Sequence, residues 1–290
     1  MNQVSNSHRQ TATFQWRIGE AKVTVINDGH FQTTFNYFTH SSENEIKEIL
    51  YGSFRPSPPI LTTNIFLIEM EDQSPILIDT GMGTIAGPEI SGNLLHSLRS
   101  IEVSPESIGT ILLTHLHGDH FYGLIDEKGN KSFPNADIWV SEKELSYWLD
   151  QNHSNVVDQQ NAELIKMALK QYNKLKGTEE EEIIPGINPY SLPGHTPGHT
   201  GFLLRSKNEQ LLFCADLLTI PSIQSASPTI GFATDVDYNL AVKTRIETLT
   251  MASEKRLLLA GAHFEFPSLH YVKIENKGFR LIPKQFFNFN

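Results

Sequence analysis

The chain of 290 residues has a single cysteine, Cys214, so it can close no disulfide within itself. One thiol in a chain of this length fits a reducing compartment. Positive charge is scarce as well. Lys and Arg number 23 against 33 Asp and Glu, a formal net charge of −10. A nucleic-acid surface needs a basic stripe, and no Lys/Arg run supplies one. Long apolar runs are missing: none approaches the ~20 residues that span a bilayer. The opening segment, MNQVSNSHRQTATFQW, has no apolar core of a signal peptide. There are no repeats of solenoid period and no low-complexity linker. Together these absences predict a cytoplasmic enzyme, with neither nucleic acid nor membrane as partner.

What is present reads as alternating strands and helices. Residues 1–13 are polar and predicted to be loose, and 14–290 read as one α/β domain without a clean boundary. FQWRIG and AKVTVIND alternate apolar and polar positions, as strands do. ILTTNIFLIEMED and SPILIDTG are two further strands joined by an acidic turn. Helices are expected over 42–50, over 94–101, from SEKELSYWLD, and over about 238–253 with Asp237 as cap. Leu164, Met167, Ala168, Tyr172 and Leu175 form a helical stripe that predicts a helix over 159–176. Gly177 ends it, and Glu179–Glu182 reads as a solvated acidic turn. Residues 219–235 read as an irregular apolar loop, and the tail as a hairpin around 276–278.

The chemistry concentrates in THLHGDH, residues 114–120, directly after the apolar run IGTILL. His115, His117, Asp119 and His120 fall within six positions, a density that packing does not explain. Imidazole and carboxylate suit zinc, and also iron, cobalt or manganese. His115 and His117, two apart on extended chain, point the same way and can share one ion. Asp119 and His120, beyond the turn at Gly118, can face a second. Two ions need more ligands. His195 in PGHTPGH, Asp216 after LLFCA and His263 after LLLAGA each follow an apolar run closely, which places them at strand ends. A carboxylate can bridge two ions, which suits Asp216.

In this order, H-x-H-x-D-H, PGHTPGH, a strand-end Asp and a strand-end His resemble the metallo-β-lactamase-fold hydrolases. NIFLIEMEDQSPILIDTG is similar to their early strands with the Asp-Thr-Gly turn. GPEISGNLLHSLRS, SFPNADIWVSEKELSYW and AGAHFEFPSLHYVK are similar to the group of methyl parathion hydrolases and quorum-quenching N-acyl-homoserine lactonases. The resemblance implies an αβ/βα sandwich, two mixed β-sheets flanked by helices, with the site at one edge, and a small molecule as substrate. It implies that His115, His117 and His195 hold one divalent ion and Asp119, His120 and His263 another, with Asp216 between them. Zinc is the first expectation, with manganese, iron or cobalt as alternatives. On the same resemblance Asp79 is a buried carboxylate that orients a ligating histidine, His199 is a hydrogen-bonded neighbour, and the protein is a homodimer. One loop departs from the group. Where the pattern is Phe-Pro-Gly-Leu-Gly-His, this chain has Phe266-Pro267-Ser268-Leu269-His270-Tyr271.

The expected reaction is attack by a hydroxide shared between the ions, with Asp119 as the catalytic carboxylate that orients it or passes a proton to the leaving group. Among members of the fold, the two-zinc β-lactamases have Cys where Asp216 stands, and Cys214 is better read as a small buried residue. Flavodiiron proteins need Glu in place of His117. RNA-processing nucleases need basic surface, and a glyoxalase II needs a basic C-terminal motif. An N-acyl-homoserine lactone lactonase ranks first. An organophosphate or aryl-ester hydrolase is the alternative, and a non-catalytic zinc-binding module the third reading. Phe121, Trp148, Phe232 and Phe266 are the candidate walls of an apolar substrate pocket, while Tyr122 is expected to pack.

Overall fold

The structure, a computed structural model, describes residues 11–85, 92–149, 153–172, 175–178 and 182–286. In chain order the strands are β1 (Ala12–Ile18), β2 (Ala21–Gln32), β3 (Phe38–Thr39), β4 (Ile60–Glu69), β5 (Ile76–Ile78), β6 (Thr110–Leu112), β7 (Asp137–Trp139) and β8 (Leu175–Lys176). They continue with β9 (Ile187–Ser191), β10 (Thr200–Ser206), β11 (Glu209–Ala215), β12 (Gly231–Phe232), β13 (Leu258–Gly261), β14 (Leu269–Ile274) and β15 (Phe279–Pro283). The helices are α1 (Glu43–Gly52), α2 (Leu94–Ser100), α3 (Gly118–Phe121), α4 (Glu142–Leu149), α5 (Val156–Lys170), α6 (Pro221–Gln224) and α7 (Tyr238–Glu254).

Two mixed sheets result. One runs β1-β2-β4-β5-β6-β7-β8 and the other β15-β14-β13-β11-β10-β9, while β12 and β3 form a small separate ribbon. β5, β6, β7 and β8 are parallel, as are β11 and β13; the remaining ladders are antiparallel. Parallel neighbours need crossovers, and helices supply them.

Period-two alternation explains why both sheets are covered on both faces. In β4, Phe66 and Ile68 face the other sheet, while Ile65 and Leu67 face α2 to α5. In β11, Leu211 and Phe213 face inward, and Leu212 and Cys214 face the layer that holds α7. Phe66 meets Phe213 across the sandwich, ring centroids 5.0 Å apart. The continuous apolar runs of the sequence are therefore strands with two buried faces, which alternation alone would not reveal.

Ser42 caps α1 and Asp237 caps α7, each side chain accepting from a backbone N–H three residues on. Three local expectations are corrected. β1 begins at Ala12, inside the segment expected to be loose, and residues 1–10 lie outside the described ones. The helix expected over 159–176 starts earlier and stops at Lys170. Leu175 leaves the stripe because Leu175–Lys176 pair with β7 as an edge strand, and Lys176 reaches Asp137 at 2.8 Å. The buried face of α5 is Ala162, Ile165, Ala168 and Leu169, while Met167 is exposed. The loop at 219–235 holds α6 and β12. Of the acidic turn, 179–181 lie outside the described residues, and so do 87–91 of the stretch GPEISGNLLHSLRS. No helix among the described residues is long and apolar enough to cross a membrane.

Candidate metal centre

The chemistry gathers at the edge where β5, β6, β11 and β13 end. Asp79 follows β5, the segment 114–120 follows β6, Asp216 follows β11 and His263 follows β13. His195 comes from the turn before β10. Main-chain bonds lock the sheets together here: Asn64 N–H donates to Ala262 O at 2.7 Å and Thr200 N–H to Thr114 O at 2.9 Å. Two residues beside the ligands adopt left-handed backbone, Asp79 (φ 63°) and Ala215 (φ 42°). Ala215 lies where the β11–β13 register shifts, and the irregularity turns Asp216 into the site.

Seven side chains converge. His117 Nδ1 lies 3.0 Å from His115 Nε2 and 2.9 Å from His195 Nε2. Asp216 lies between the two halves, with one oxygen 3.3 Å from His195 Nε2 and 2.9 Å from His263 Nε2 and the other 3.1 Å from His120 Nε2. Asp119 stands 3.6 Å from His120 Nε2 and 3.7 Å from His263 Nε2. Three groups of potential ligands emerge, His115–His117–His195, His115–His120–Asp216 and Asp119–His120–His263, each with its atoms within 4.8 Å of one another.

The outward nitrogens show which atoms face the centre. His263 Nδ1 donates to Thr62 O at 2.7 Å, a group that can only accept. His195 Nδ1 meets Asp235 at 2.9 Å and His120 Nδ1 meets Asp79 at 2.8 Å. Thr114 gives its hydroxyl hydrogen to Asp79 and so accepts from His115 Nδ1 at 3.1 Å. With Nδ1 as the donor, each neutral ring turns a lone pair on Nε2 inward. Buried lone pairs and carboxylates facing one another need a cation. His120 Nε2 and Asp216 Oδ1 are both buried and, although 3.1 Å apart, are not aligned for a hydrogen bond with each other or with any other group. Tetrahedral ligation at 2.0–2.1 Å separates ligand atoms by roughly 3.3 Å, close to the separations found here. The residues fit divalent ions.

The charge pattern agrees. Burial holds His115 and His117 well below the ordinary imidazole range. Burial also opposes charge on His120, but Asp216, Asp119 and Asp79 outweigh it and raise His120 well above that range. His263 is raised in the same way, chiefly by Asp216. Burial alone would push Asp216 up, yet His263, His120, His115 and His195 pull it far down. The carboxylates thus draw positive charge into the centre, and metal binding would displace protons from it.

Behind the cluster, Glu144 brackets the two histidine loops. It accepts from Leu116 N–H (3.0 Å), Trp148 Nε1 (2.7 Å), Thr196 hydroxyl (2.6 Å) and Gly198 N–H (3.1 Å). Burial raises its carboxyl, and these donors limit the rise. The approach is close enough that a Cβ on Gly198 would lie 2.2 Å from Glu144 N. His199 is fixed by Leu192 O and the Asp216 N–H and belongs to none of the ligand groups.

A cavity of about 550 Å³ opens over the cluster. His117, Asp119, Asp216 and His263 reach its floor, and Phe31, Tyr37, Leu61, Tyr122, Trp148 and Phe232 are among its walls. Of the four aromatic walls expected from the sequence, Trp148 and Phe232 line it and two do not. Phe121 is fully buried in the core beneath α3, and Tyr122 takes the cavity side because adjacent residues of a helical turn diverge. Phe266 is partly exposed and lies outside the lining; Phe264 turns into the core and Glu265 outward to Arg55. In the departing loop, Ser268 adopts a left-handed φ of 66° where the group's pattern has Gly, and its hydroxyl holds Gly261 O at 2.7 Å.

Comparison with known proteins identifies the family. Residues 59–263 match the Metallo-beta-lactamase superfamily. The chain belongs to that superfamily. An N-acyl homoserine lactonase from a Bacillus species is 28% identical over 221 residues, covering 69% of this chain and 80% of that one. The structure of AidC, a dizinc quorum-quenching lactonase in complex with a product N-hexanoyl-L-homoserine, is 28% identical with a TM-score of 0.88, covering 96% of this chain and 99% of that one. The hydrolase AbOPH of the beta lactamase superfamily is 28% identical with a TM-score of 0.89, covering 97% of this chain and all of its own. This superfamily member is thus a metallo-β-lactamase hydrolase related to dizinc quorum-quenching lactonases. Asp235 and Arg245, which support its histidines, carried no motif in the sequence, and Glu144 falls in the stretch SFPNADIWVSEKELSYW, which signals a helix start and not a support.

Proposed function

We propose that this hydrolase opens the ring of N-acyl-homoserine lactones, with His115, His117 and His195 holding one divalent ion, Asp119, His120 and His263 a second, and Asp216 both. The carrying observation is the join between the His/Asp cluster and an apolar cavity of about 550 Å³, within the range of small-molecule sites. Relatives whose names specify this activity, at 28% identity, support the reading. A pair of divalent ions, zinc first, supplies a nucleophilic water and a Lewis acid at neutral pH.

The chain's own residues do the rest. The walls hold the acyl chain and exclude water from it. Asp119, at the cavity floor and within 3.4 Å of the Thr63 hydroxyl, is placed to take the proton released by the attacking water and pass it to the leaving ring oxygen. Tyr122 keeps its phenolic proton, because burial and then Asp119 raise its pKa, and it serves as a donor to the substrate. The stacked Tyr37–Phe232 pair, centroids 5.4 Å apart at 14°, favours a second reading, an aryl-ester or phosphotriester hydrolase. A closed zinc-binding module would not place its ligands on an open cavity floor.

The test is a pH-stat panel on metal-quantified protein: homoserine lactones of several chain lengths, aryl esters, methyl parathion and a cephalosporin. Preferred turnover of lactones supports the first reading. Turnover of phosphotriesters alone replaces it with the second. Asp216→Ala should remove metal and hydrolysis together; hydrolysis that survives without metal defeats both.

A further inference from the structure

One support of the cluster reaches well beyond it. The Asp235 side chain is 1% exposed and divides its oxygens. Oδ1 faces His195 Nδ1 at 2.9 Å, and Oδ2 accepts from Phe232 N–H at 3.1 Å. Arg245, delivered by α7 and equally buried, lies 3.5 Å from Oδ2. The guanidinium also donates to Leu217 O (2.9 Å), the residue after Asp216, and to Pro228 O (2.9 Å) and Ile230 O (3.1 Å). Main-chain bonds from Val236 N–H to His195 O and from Asp237 N–H to Gly194 O, both 2.9 Å, clamp the same turn. On the far side, Phe232 pairs with Phe38 and stacks on Tyr37 in the cavity wall.

We propose that Asp235, held by Arg245, is the positioning residue for the His115–His117–His195 metal position and couples that position to the Tyr37–Phe232 wall. The inference rests on the ligand assignment proposed above. Asp79 stands behind His120 in the other half, so each half has one histidine backed by a carboxylate. A carboxylate behind an imidazole fixes its tautomer and raises its basicity toward a metal. Asp235 does this for His195 with the oxygen that the wall does not use.

The chemistry makes Asp235→Asn informative. An amide keeps one acceptor and gains a donor. If its oxygen stays with Phe232 N–H and Arg245, its NH2 faces His195 Nδ1. His195 must then accept there and carry its proton on Nε2, the atom that faces the metal. The volume is nearly unchanged and Arg245 keeps an acceptor but loses its buried counter-charge, so the variant loses stability as well as one metal position, and the second metal position serves as the internal control.

The experiment uses the full chain, stripped of metal and titrated with zinc by calorimetry and with cobalt by visible absorption. Wild type should take up about two equivalents. In Asp235→Asn, one equivalent should weaken by about 10–100-fold and the other by less than about twofold, with the metal-free protein still unfolding cooperatively at a melting temperature lowered by the loss of the Arg245 counter-charge. Asp235→Glu should recover most of the lost affinity. Phe232→Leu, which leaves the carboxylate in place, should weaken the same equivalent by less. Equal weakening of both equivalents, no weakening, or a Glu variant no better than Asn overturns the positioning role. An unaltered Phe232→Leu protein overturns the coupling to the wall. Wild type that binds fewer than two equivalents overturns the ligand assignment, and this proposal with it.

Discussion

Removing the Glu144 carboxyl tests whether one buried acid holds the two histidine loops together. Its oxygens take two donors each, Leu116 N–H and Trp148 Nε1 on one, Thr196 hydroxyl and Gly198 N–H on the other. Leu116 lies between His115 and His117, while Thr196 adjoins His195, so the bracket spans both halves of one ligand set. A buried donor left unpaired costs about 1–3 kcal/mol. Glu144→Ala orphans all four and leaves a cavity, so it should cost at least about 4 kcal/mol. In Glu144→Gln, the remaining oxygen serves one pair and the new NH2 faces the other. With NH2 toward Thr196, that hydroxyl can turn and accept, and Gly198 N–H is the single orphan. Its cost should be about 1–3 kcal/mol. At roughly 2–4 °C per kcal/mol for a chain near this size, the two variants separate clearly by thermal or urea unfolding of the metal-free protein. The urea midpoint should move at constant slope. Metal content should fall in both variants. The reasoning fails if Glu144→Ala unfolds within about 1 kcal/mol of wild type, or if Gln is as damaging as Ala, since that would make the charge rather than the acceptor pattern decisive.

Asp28 supplies a stability test against pH. Burial raises its carboxyl from 3.8 to about 6, although Met82 and Leu94 N–H groups donate to it. Between those values the folded chain keeps a proton that the unfolded chain has released. Stability relative to Asp28→Asn should therefore fall as pH rises from about 4 to about 6, by up to about 3 kcal/mol, and stay level above. Urea unfolding of both proteins over that range measures it, and a difference that grows with pH contradicts the assignment. In the cavity, Phe232→Leu loses an aromatic contact worth about 0.5–1.5 kcal/mol, a roughly two- to tenfold rise in KM for long-chain substrates. Phe266→Ala, outside the lining, should leave kcat and KM within about twofold; the opposite ranking in steady-state assays would move the wall. Removal of metal by a chelator should abolish hydrolysis, and zinc should restore it; activity that resists complete stripping rules out a metal-dependent reaction.

The sequence by itself determined the candidate ligands and the type of fold. Dense His and Asp at the ends of apolar runs are legible because ligand chemistry restricts residue types and strand ends restrict positions. Asp79 was readable only through the family resemblance, since a carboxylate in an Asp-Thr-Gly turn is as well explained as a turn residue. The apolar walls were half legible. Whether Phe121 or Tyr122 faces the cavity depends on the rotation of one short helical turn, and Phe266 was turned outward by a loop in which Ser268 takes the left-handed backbone. α5 lost its last turn to an edge strand, because pairing with β7 is a long-range event that local periodicity does not encode. Only the tertiary structure decided the supports behind the ligands. Glu144, Asp235 and Arg245 lie 28, 40 and 28 positions from the residues they bond, Leu116, His195 and Leu217 respectively. Each is a single charged residue in an ordinary helix or loop, with no motif of its own. A buried charge acquires meaning from the donors and acceptors packed around it, and those are brought together by folding rather than by spacing along the chain.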